Sequence, residues 1–124
     1  MKLLLDTHVV LWWRTDSPRL KPAVRRAIGG AEIVWVSAAS GWEATIKQGL
    51  GKLRLDDSFS EMVSSSDFLE LSVTLKHTEQ LLALPSHHTD PFDRMLIAQA
   101  QVDGATIVTH DRHFEPYDVP VLWV

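Results

Sequence analysis

Four acidic residues stand at positions where carboxylates often take part in chemistry. The sequence places them in four separate segments: Asp6 directly after an apolar run, Glu43 in SGWEATIK, Asp93 in DPFDRMLIAQA and Asp111 after TIVTH. Like charges about 4 Å apart repel by roughly 4 kcal/mol at an effective dielectric constant of 20, so converging carboxylates need a cation. Oxygen ligands without cysteine favour Mg²⁺ or Mn²⁺ over Zn²⁺. Such an ion orients phosphodiesters and lowers the pKa of bound water.

Each of these acids also has a purely structural interpretation. An aspartate after a strand often caps a helix or begins a turn, which applies to Asp6 and Asp111. Ser40 and Glu43 match a capping box, and Glu43 lies four residues before Lys47, where a helical ion pair forms. Taken singly, none of these acids therefore establishes a catalytic site.

The apolar stripe of the second segment bears on the environment of Glu43. Trp42, Ile46 and Leu50 lie next to Glu43 on the expected helix. We therefore expect this carboxylate to face the edge of the core rather than bulk solvent. A half-buried glutamate needs a partner, a proton or a metal.

The stretch DPFDRMLIAQA contains two aspartates for which we predict different roles. Pro91 suits the first position of a helix, so Asp90 is the predicted N-cap and Asp93 occupies the third helical position. The helix dipole favours both acids by roughly 0.3–1 kcal/mol each. The cap explains Asp90 well and Asp93 only in part, so Asp93 could instead point along the edge of the sheet.

The elements that must position these acids predict an α/β protein. Continuous apolar runs suggest strands that are covered on both faces, which is typical of a central parallel sheet with helices on both sides. We predict strands at 2–5, 33–36, 106–109 and 119–123, an edge strand at 69–73, and helices at 19–28, 38–49, 57–66, 75–84 and from about 92. Asp6 and Asp111 would then lie at the carboxyl edge, where α/β proteins bind ligands.

Length and composition predict one ordinary globular domain spanning residues 1–124. The chain is 45% hydrophobic and 23% charged and has no cysteine, which fits a reducing, cytoplasmic setting. Asp6 and His8 interrupt the N-terminal apolar run, so we expect neither a signal peptide nor a membrane span. The net charge of −4 argues against broad nucleic-acid attraction but not against a metal-dependent nuclease.

Four segments together resemble PIN-domain proteins, specifically the VapC-like toxins of bacterial toxin–antitoxin pairs. They are LLLDTHVVLWW at 3–13, SAASGWEATIKQGLGKL at 37–53, DPFDRMLIAQA at 90–100 and IVTHDRHF at 107–114. The segments occur in the family's order and span nearly the whole chain. The resemblance implies that the family's acids fall on Asp6, Glu43, Asp93 and Asp111, whereas Asp90 lies outside the usual quartet.

The resemblance implies a PIN-like fold and a Mg²⁺-dependent endoribonuclease, with Mn²⁺ as an alternative ion. Asp6 and Asp93 would be the main metal ligands, and Glu43 and Asp111 would be further ligands or would orient water. Cleavage would leave a 3′-hydroxyl and a 5′-phosphate. Thr7 would hydrogen-bond a carboxylate or the water shell of the metal, or would simply belong to a turn. The implied partners are an RNA substrate, a small antitoxin protein and a second copy in a homodimer.

Other functions fit the acids less well. A haloacid-dehalogenase-type phosphatase needs a second acid two residues after the first, where this chain has His8, and the paired acids and lysine of a receiver domain are missing. A PIN-fold module that binds RNA or protein without catalysis stays as the alternative, but the presence of all four acids gives it no support.

Histidine, tryptophan and basic residues leave further possibilities open. The histidines lack helical i,i+4 pairing with one another and no cysteine supports them, which argues against a histidine-based zinc site. His110 and His113 flank Asp111 and are candidates for substrate contact. Trp12 and Trp13 cannot both face fully inward, so one is either exposed, where it would suit a partner surface, or packed on the core with its ring partly covered. Basic residues near the acids form a possible RNA track or a solvated face: Arg19, Lys21, Arg25, Arg26, Lys47, Lys52, Arg54, Arg94 and Arg112.

Overall fold

A computed structural model describes residues 1–124, and a single parallel sheet organises the chain. Its five strands are β1 (Lys2–Leu5), β2 (Ile33–Ser37), β3 (Leu69–Leu71), β4 (Thr106–Thr109) and β5 (Val121–Trp123). They lie in the order β3-β2-β1-β4-β5, and every neighbouring pair is parallel. The predicted α/β class with a central parallel sheet is confirmed, and β3 is the expected edge strand.

Six α-helices connect these strands. They are α1 (Thr7–Arg14), α2 (Pro22–Gly29), α3 (Ala38–Gly49), α4 (Phe59–Ser65), α5 (Leu75–Gln80) and α6 (Pro91–Asp103), with 3₁₀ turns at Leu81–Ala83 and Arg112–Phe114. The helix predicted at 19–28 begins only at Pro22, because proline suits the first helical position. The helix predicted at 75–84 tightens into a 3₁₀ turn after Gln80. None of these helices combines the length and the apolar character needed to cross a bilayer.

The side chains of β1 alternate between two cores. Leu3 and Leu5 pack in one cluster with residues of α1, α2 and α4, while Leu4 packs in the other with residues of α6. All three leucines are fully buried. A strand covered on both faces reads as a continuous apolar run, which is why KLLL shows no alternation. Helices therefore cover both faces of the sheet, as predicted.

The strand order creates a crevice at the carboxyl edge of the sheet. From the central β1, the chain reaches β2 on one side and β4 on the other. Ligands of α/β proteins bind where the order of strands reverses in this way. Leu5 is in register with Val108, and the Asp6 N–H donates to the Val108 carbonyl at 3.1 Å. This pairing fixes Asp6 at the crevice.

Candidate active site

Asp6 is a buried carboxylate that joins β1 to α1. Its Oδ1 accepts the Val9 N–H at 3.0 Å and thereby caps α1, while its Oδ2 accepts the hydroxyl of Thr109 at the end of β4. Burial raises the pKa of Asp6, although the bonds from Thr109 and Val9 and the charges of His8 and His110 oppose that rise. The cap interpretation is correct, yet it uses only one of the two carboxylate oxygens.

Glu43 lies one turn into α3 and is held by two partners. The Thr7 hydroxyl donates to Glu43 Oε1 at 2.6 Å, and Lys47 Nζ lies 3.5 Å from Oε2 in the predicted i,i+4 pair. The predicted Ser40 capping box is wrong. Ser37 is the N-cap and accepts the Ala39 N–H, because the helix begins one turn earlier than that motif requires.

The apolar stripe of α3 is exposed rather than covered by the core. The side chain of Glu43 is only 15% exposed, as expected, but Trp42 is 64% exposed, and Ile46 and Leu50 are also exposed. The expected burial of Glu43 is therefore right, whereas its expected cause is wrong. Contacts with Thr7 and Lys47 shelter the carboxylate instead.

Substitution of Thr7 tests how firmly Glu43 must be oriented. A hydrogen bond to a charged group contributes about 1.5–3 kcal/mol, and each 1.4 kcal/mol is tenfold in rate. If Glu43 acts in catalysis, we expect Thr7→Val to lower kcat by about tenfold or more. Thr7→Ser keeps the hydroxyl and should retain most of the activity. Equal rates for both variants, measured on purified protein, would refute the orienting role.

Asp93 lies in the first turn of α6, three residues after Asp90, which is the N-cap as the sequence predicts. Asp90 Oδ1 accepts the Asp93 N–H at 2.9 Å, with Pro91 at the first helical position. Asp93 Oδ2 lies 2.9 Å from His88 Nε2. Burial raises the pKa of Asp93 to about 6. The hydrogen bond with His88 opposes this rise, and the negative charges of Asp90 and Asp111 add to it.

Asp111 follows β4 and begins the 3₁₀ turn at Arg112–Phe114. Its N–H donates to Thr109 Oγ1 at 3.0 Å, and its Oδ1 accepts the His113 N–H at 3.0 Å and lies 2.8 Å from His113 Nδ1. Burial alone would raise its pKa, but the hydrogen bonds and charge of His113 and the charge of His88 outweigh it, so the pKa is lowered. The folded protein thus favours the ionised form of Asp111.

The four predicted acids share one edge of the sheet, and threonine side chains contact three of them. Thr7 bonds Glu43 beside Asp6, and Thr109 contacts both Asp6 and Asp111. The tightest groups of candidate ligand atoms, each within 4.8 Å of one another, are His88, Asp111 and His113, and His88, Asp90 and Asp93. Neither group includes Asp6 or Glu43, and both include a histidine that the sequence did not single out as a ligand.

The charges and donor types of this edge suit a divalent cation. Among the four acids, only Glu43 forms an ion pair with a lysine or arginine. Asp6 and Asp93 are desolvated carboxylates with raised pKa values, so a nearby positive charge would stabilise their ionised forms. Carboxylate oxygens are the ligands that Mg²⁺ prefers.

An aromatic and cationic surface adjoins Asp6. The ring of the half-buried Trp12 lies 4.8 Å from that of His110 and 5.9 Å from that of His8, centroid to centroid, and the Arg19 guanidinium lies 5.3 Å from the Trp12 ring. Trp13 is also half-buried and packs on Phe68. Of the two interpretations of this pair, core packing with a partly covered ring is therefore the correct one, and neither tryptophan is fully exposed.

Comparisons with known proteins agree with this architecture. The model of the PIN domain family matches residues 3–120. Ribonuclease VapC22 of Mycobacterium tuberculosis is 30% identical over 126 residues, covering 95% of this chain and 93% of that protein. Similar solved structures include VapBC2 from Rickettsia felis bound to a promoter DNA fragment, with a TM-score of 0.74, 14% identity and 98% coverage of both chains. VapBC-1 from nontypeable Haemophilus influenzae gives a TM-score of 0.70 and 14% identity, with 99% and 98% coverage.

Proposed function

The chain belongs to the PIN-domain family, in its VapC-like group, and on this premise we propose that residues 1–124 form a Mg²⁺-dependent endoribonuclease that acts as a toxin. The observation that carries the proposal is the placement of four carboxylates, from β1, α3, α6 and the end of β4, at one edge of the sheet. Mn²⁺ is the alternative ion, because the same oxygen ligands suit it.

Asp6 and Asp93 would hold the ion, with Glu43 and Asp111 as further ligands or as groups that orient water. When bound, the ion would neutralise charge on the phosphate and lower the pKa of a water molecule. The two main ligands would come from different elements, since Asp6 follows β1 and Asp93 lies in the first turn of α6.

The other residues of the site would orient the carboxylates before substrate arrives. Thr109 and the Val9 N–H hold both oxygens of Asp6, while Thr7 and Lys47 hold Glu43. Water would attack phosphorus in line with the bond to the 3′ oxygen. That bond breaks, the 3′ oxygen takes a proton, and the oxygen of water stays on the new 5′-phosphate.

The surface beside Asp6 would contact the RNA. His8, Trp12 and His110 supply rings on which bases stack, and Arg19 supplies a cation for a phosphate. These groups would give RNA a favourable contact surface even though the net charge of the chain is −4.

We propose that a small antitoxin protein covers the apolar surface between α3 and α6. Trp42 and Phe92 pack edge to face at 5.1 Å on the helices that carry Glu43 and Asp93. A cleft of about 310 Å³ beside them is lined almost wholly by apolar side chains, including Met95 and Leu81. An apolar segment in this cleft would lie close to both acids and block access to them.

The chemistry of the RNA ends tests the proposed reaction. Purified protein incubated with a mixed pool of RNA and Mg²⁺ should give fragments with 5′-phosphate and 3′-hydroxyl ends, because water is the attacking group. Ligation to an adaptor that requires a 5′-phosphate measures this directly. Fragments with 2′,3′-cyclic phosphates would contradict the proposal, since they arise when the 2′-hydroxyl attacks instead.

A further inference from the structure

Two histidines that are distant in sequence meet beside the acid cluster. His88 lies in the loop before α6, and His113 lies in the 3₁₀ turn after β4. Their rings are stacked with centroids 4.5 Å apart and an angle of 3° between the planes. This pair places His88 Nε2 next to the Asp93 carboxylate and His113 Nδ1 next to the Asp111 carboxylate.

Each histidine already pairs a nitrogen with a carboxylate at hydrogen-bonding distance, slightly closer than two ligands of one metal ion. The distances are 2.9 Å from His88 Nε2 to Asp93 Oδ2 and 2.8 Å from His113 Nδ1 to Asp111 Oδ1. Neighbouring ligands of an octahedral or tetrahedral ion, with bonds of about 2.1 Å, lie about 3.0–3.4 Å apart. An ion could therefore replace the shared proton in either pair with little movement.

The backbone of the His88 loop is firmly held. The His88 N–H donates to the hydroxyl of buried Tyr117 at 2.9 Å, and Arg94 donates to that hydroxyl at 3.2 Å and to the Pro85 carbonyl at 2.9 Å. The His88 side chain is only 15% exposed, whereas that of His113 is 67% exposed. The His88 ring is thus held in place, whereas the exposed His113 ring is free to adjust.

The carboxylates around the two histidines favour a cation, because no lysine or arginine forms an ion pair with them. Asp90 joins His88 and Asp93 in one group of converging ligand atoms, and Asp111 joins the two histidines in the other. Arg94 donates to carbonyl and hydroxyl oxygens rather than to these carboxylates. The histidines therefore provide the only basic groups that pair with Asp93 and Asp111.

We propose that His88 and His113, together with Asp111, form a mixed nitrogen and oxygen site for a divalent transition-metal cation such as Mn²⁺ or Zn²⁺. This rests on the proposed function, because it adds nitrogen ligands beside one of the same acids, with His88 held by Asp93 at 2.9 Å. Imidazole suits Zn²⁺ and other transition metals, whereas Mg²⁺ prefers oxygen. The site should therefore bind Zn²⁺ more tightly than Mg²⁺.

Metal titrations of the full chain, stripped of metal and followed by calorimetry, test this site. Loss of a ligand should cost at least as much as loss of a supporting group, so His88→Ala and His113→Ala should each weaken Zn²⁺ binding by about tenfold or more. Mg²⁺ binding should change far less. His87→Ala is the matched control, because His87 is exposed and packs on the Tyr117 ring outside both ligand groups.

Pulsed electron paramagnetic resonance of bound Mn²⁺ gives a direct readout of nitrogen ligands. Imidazole nitrogen coupling should be present in the natural chain and in His87→Ala, and absent when His88 and His113 are both replaced. His88→Gln keeps a hydrogen-bond donor for Asp93, so it should retain the melting temperature while losing the His88 nitrogen signal.

Absence of nitrogen coupling in the natural chain, or equal Zn²⁺ affinities for His88→Ala and His87→Ala, would overturn the proposal and leave the histidines as hydrogen-bond partners only. RNA cleavage without nitrogen coupling would refute this inference alone. Nitrogen coupling without cleavage would refute the nuclease and keep the metal site.

Discussion

Replacement of Asp93 by serine is expected to abolish RNA cleavage while the protein stays folded. Metal-assisted stabilisation of the transition state contributes several kcal/mol, so we expect kcat/KM to fall by at least about a thousandfold. The helix should survive, because Asp90 still caps α6. Cleavage of a labelled RNA and the circular dichroism spectrum, measured on one preparation, check both parts.

Asp90→Ser is the matched control for Asp93→Ser. Serine is as good an N-cap as aspartate, so this variant should keep the cap and fall by no more than about threefold in activity. The two residues differ in their partners, since Asp90 caps the helix while Asp93 contacts His88. Equal losses of activity in both variants would contradict the assignment of the cap to Asp90 and of the metal ligand to Asp93.

Asp6→Asn is expected to remove activity and to stabilise the metal-free protein. Burial raises the pKa of Asp6 in the folded state. The stability that its protonated form contributes is therefore present below the unfolded pKa and lost as the pH rises through the folded pKa. At neutral pH the ionised carboxylate costs stability. Asparagine is neutral and can still accept the Val9 N–H and bond Thr109, so Tm should rise by a few degrees at pH 7.

Two further measurements make the Asp6 result specific. Mg²⁺ should raise Tm in the natural chain more than in Asp6→Asn, because binding to the folded state stabilises it. Asp56→Asn, at an exposed position, should change neither Tm nor cleavage. Retained cleavage in Asp6→Asn would contradict its role as a ligand, and a Tm below that of Asp56→Asn would contradict the cost assigned to its burial.

The fold was predictable because short segments carry strong local signals. KLLL is apolar on both faces because β1 occupies the centre of the sheet, and Pro91 after Asp90 marks the start of α6. Segments that end at a shared sheet edge bring their following residues together, so the positions of Asp6 and Asp111 could be inferred from topology alone.

The contacts around the acids could not be predicted, since they join residues far apart in the chain. Thr109 reads as one more residue of an apolar strand, yet its buried hydroxyl bonds Asp6. His88 and His113 lack helical spacing, and only the meeting of two loops stacks them. The doubled histidine shortly before DPFD was the available signal, although it does not show which ring faces Asp93.

Helix α3 shows a different limit of sequence patterns. Its apolar stripe predicts a covered face, but periodicity does not say which element covers it or whether any does. Trp42 is 64% exposed although its ring packs edge to face on Phe92 of α6. The same stripe that misled the core prediction thus supplies the surface proposed for the antitoxin.

Dependence of RNA cleavage on a divalent cation tests the central claim most directly. Protein stripped of metal should not cleave RNA in EDTA, and Mg²⁺ added in excess of the chelator should restore cleavage in the natural chain but not in Asp93→Ser. Cleavage at the full rate in EDTA, or restoration of the Asp93→Ser variant to the natural rate, would contradict the proposal that these carboxylates work by holding a metal ion.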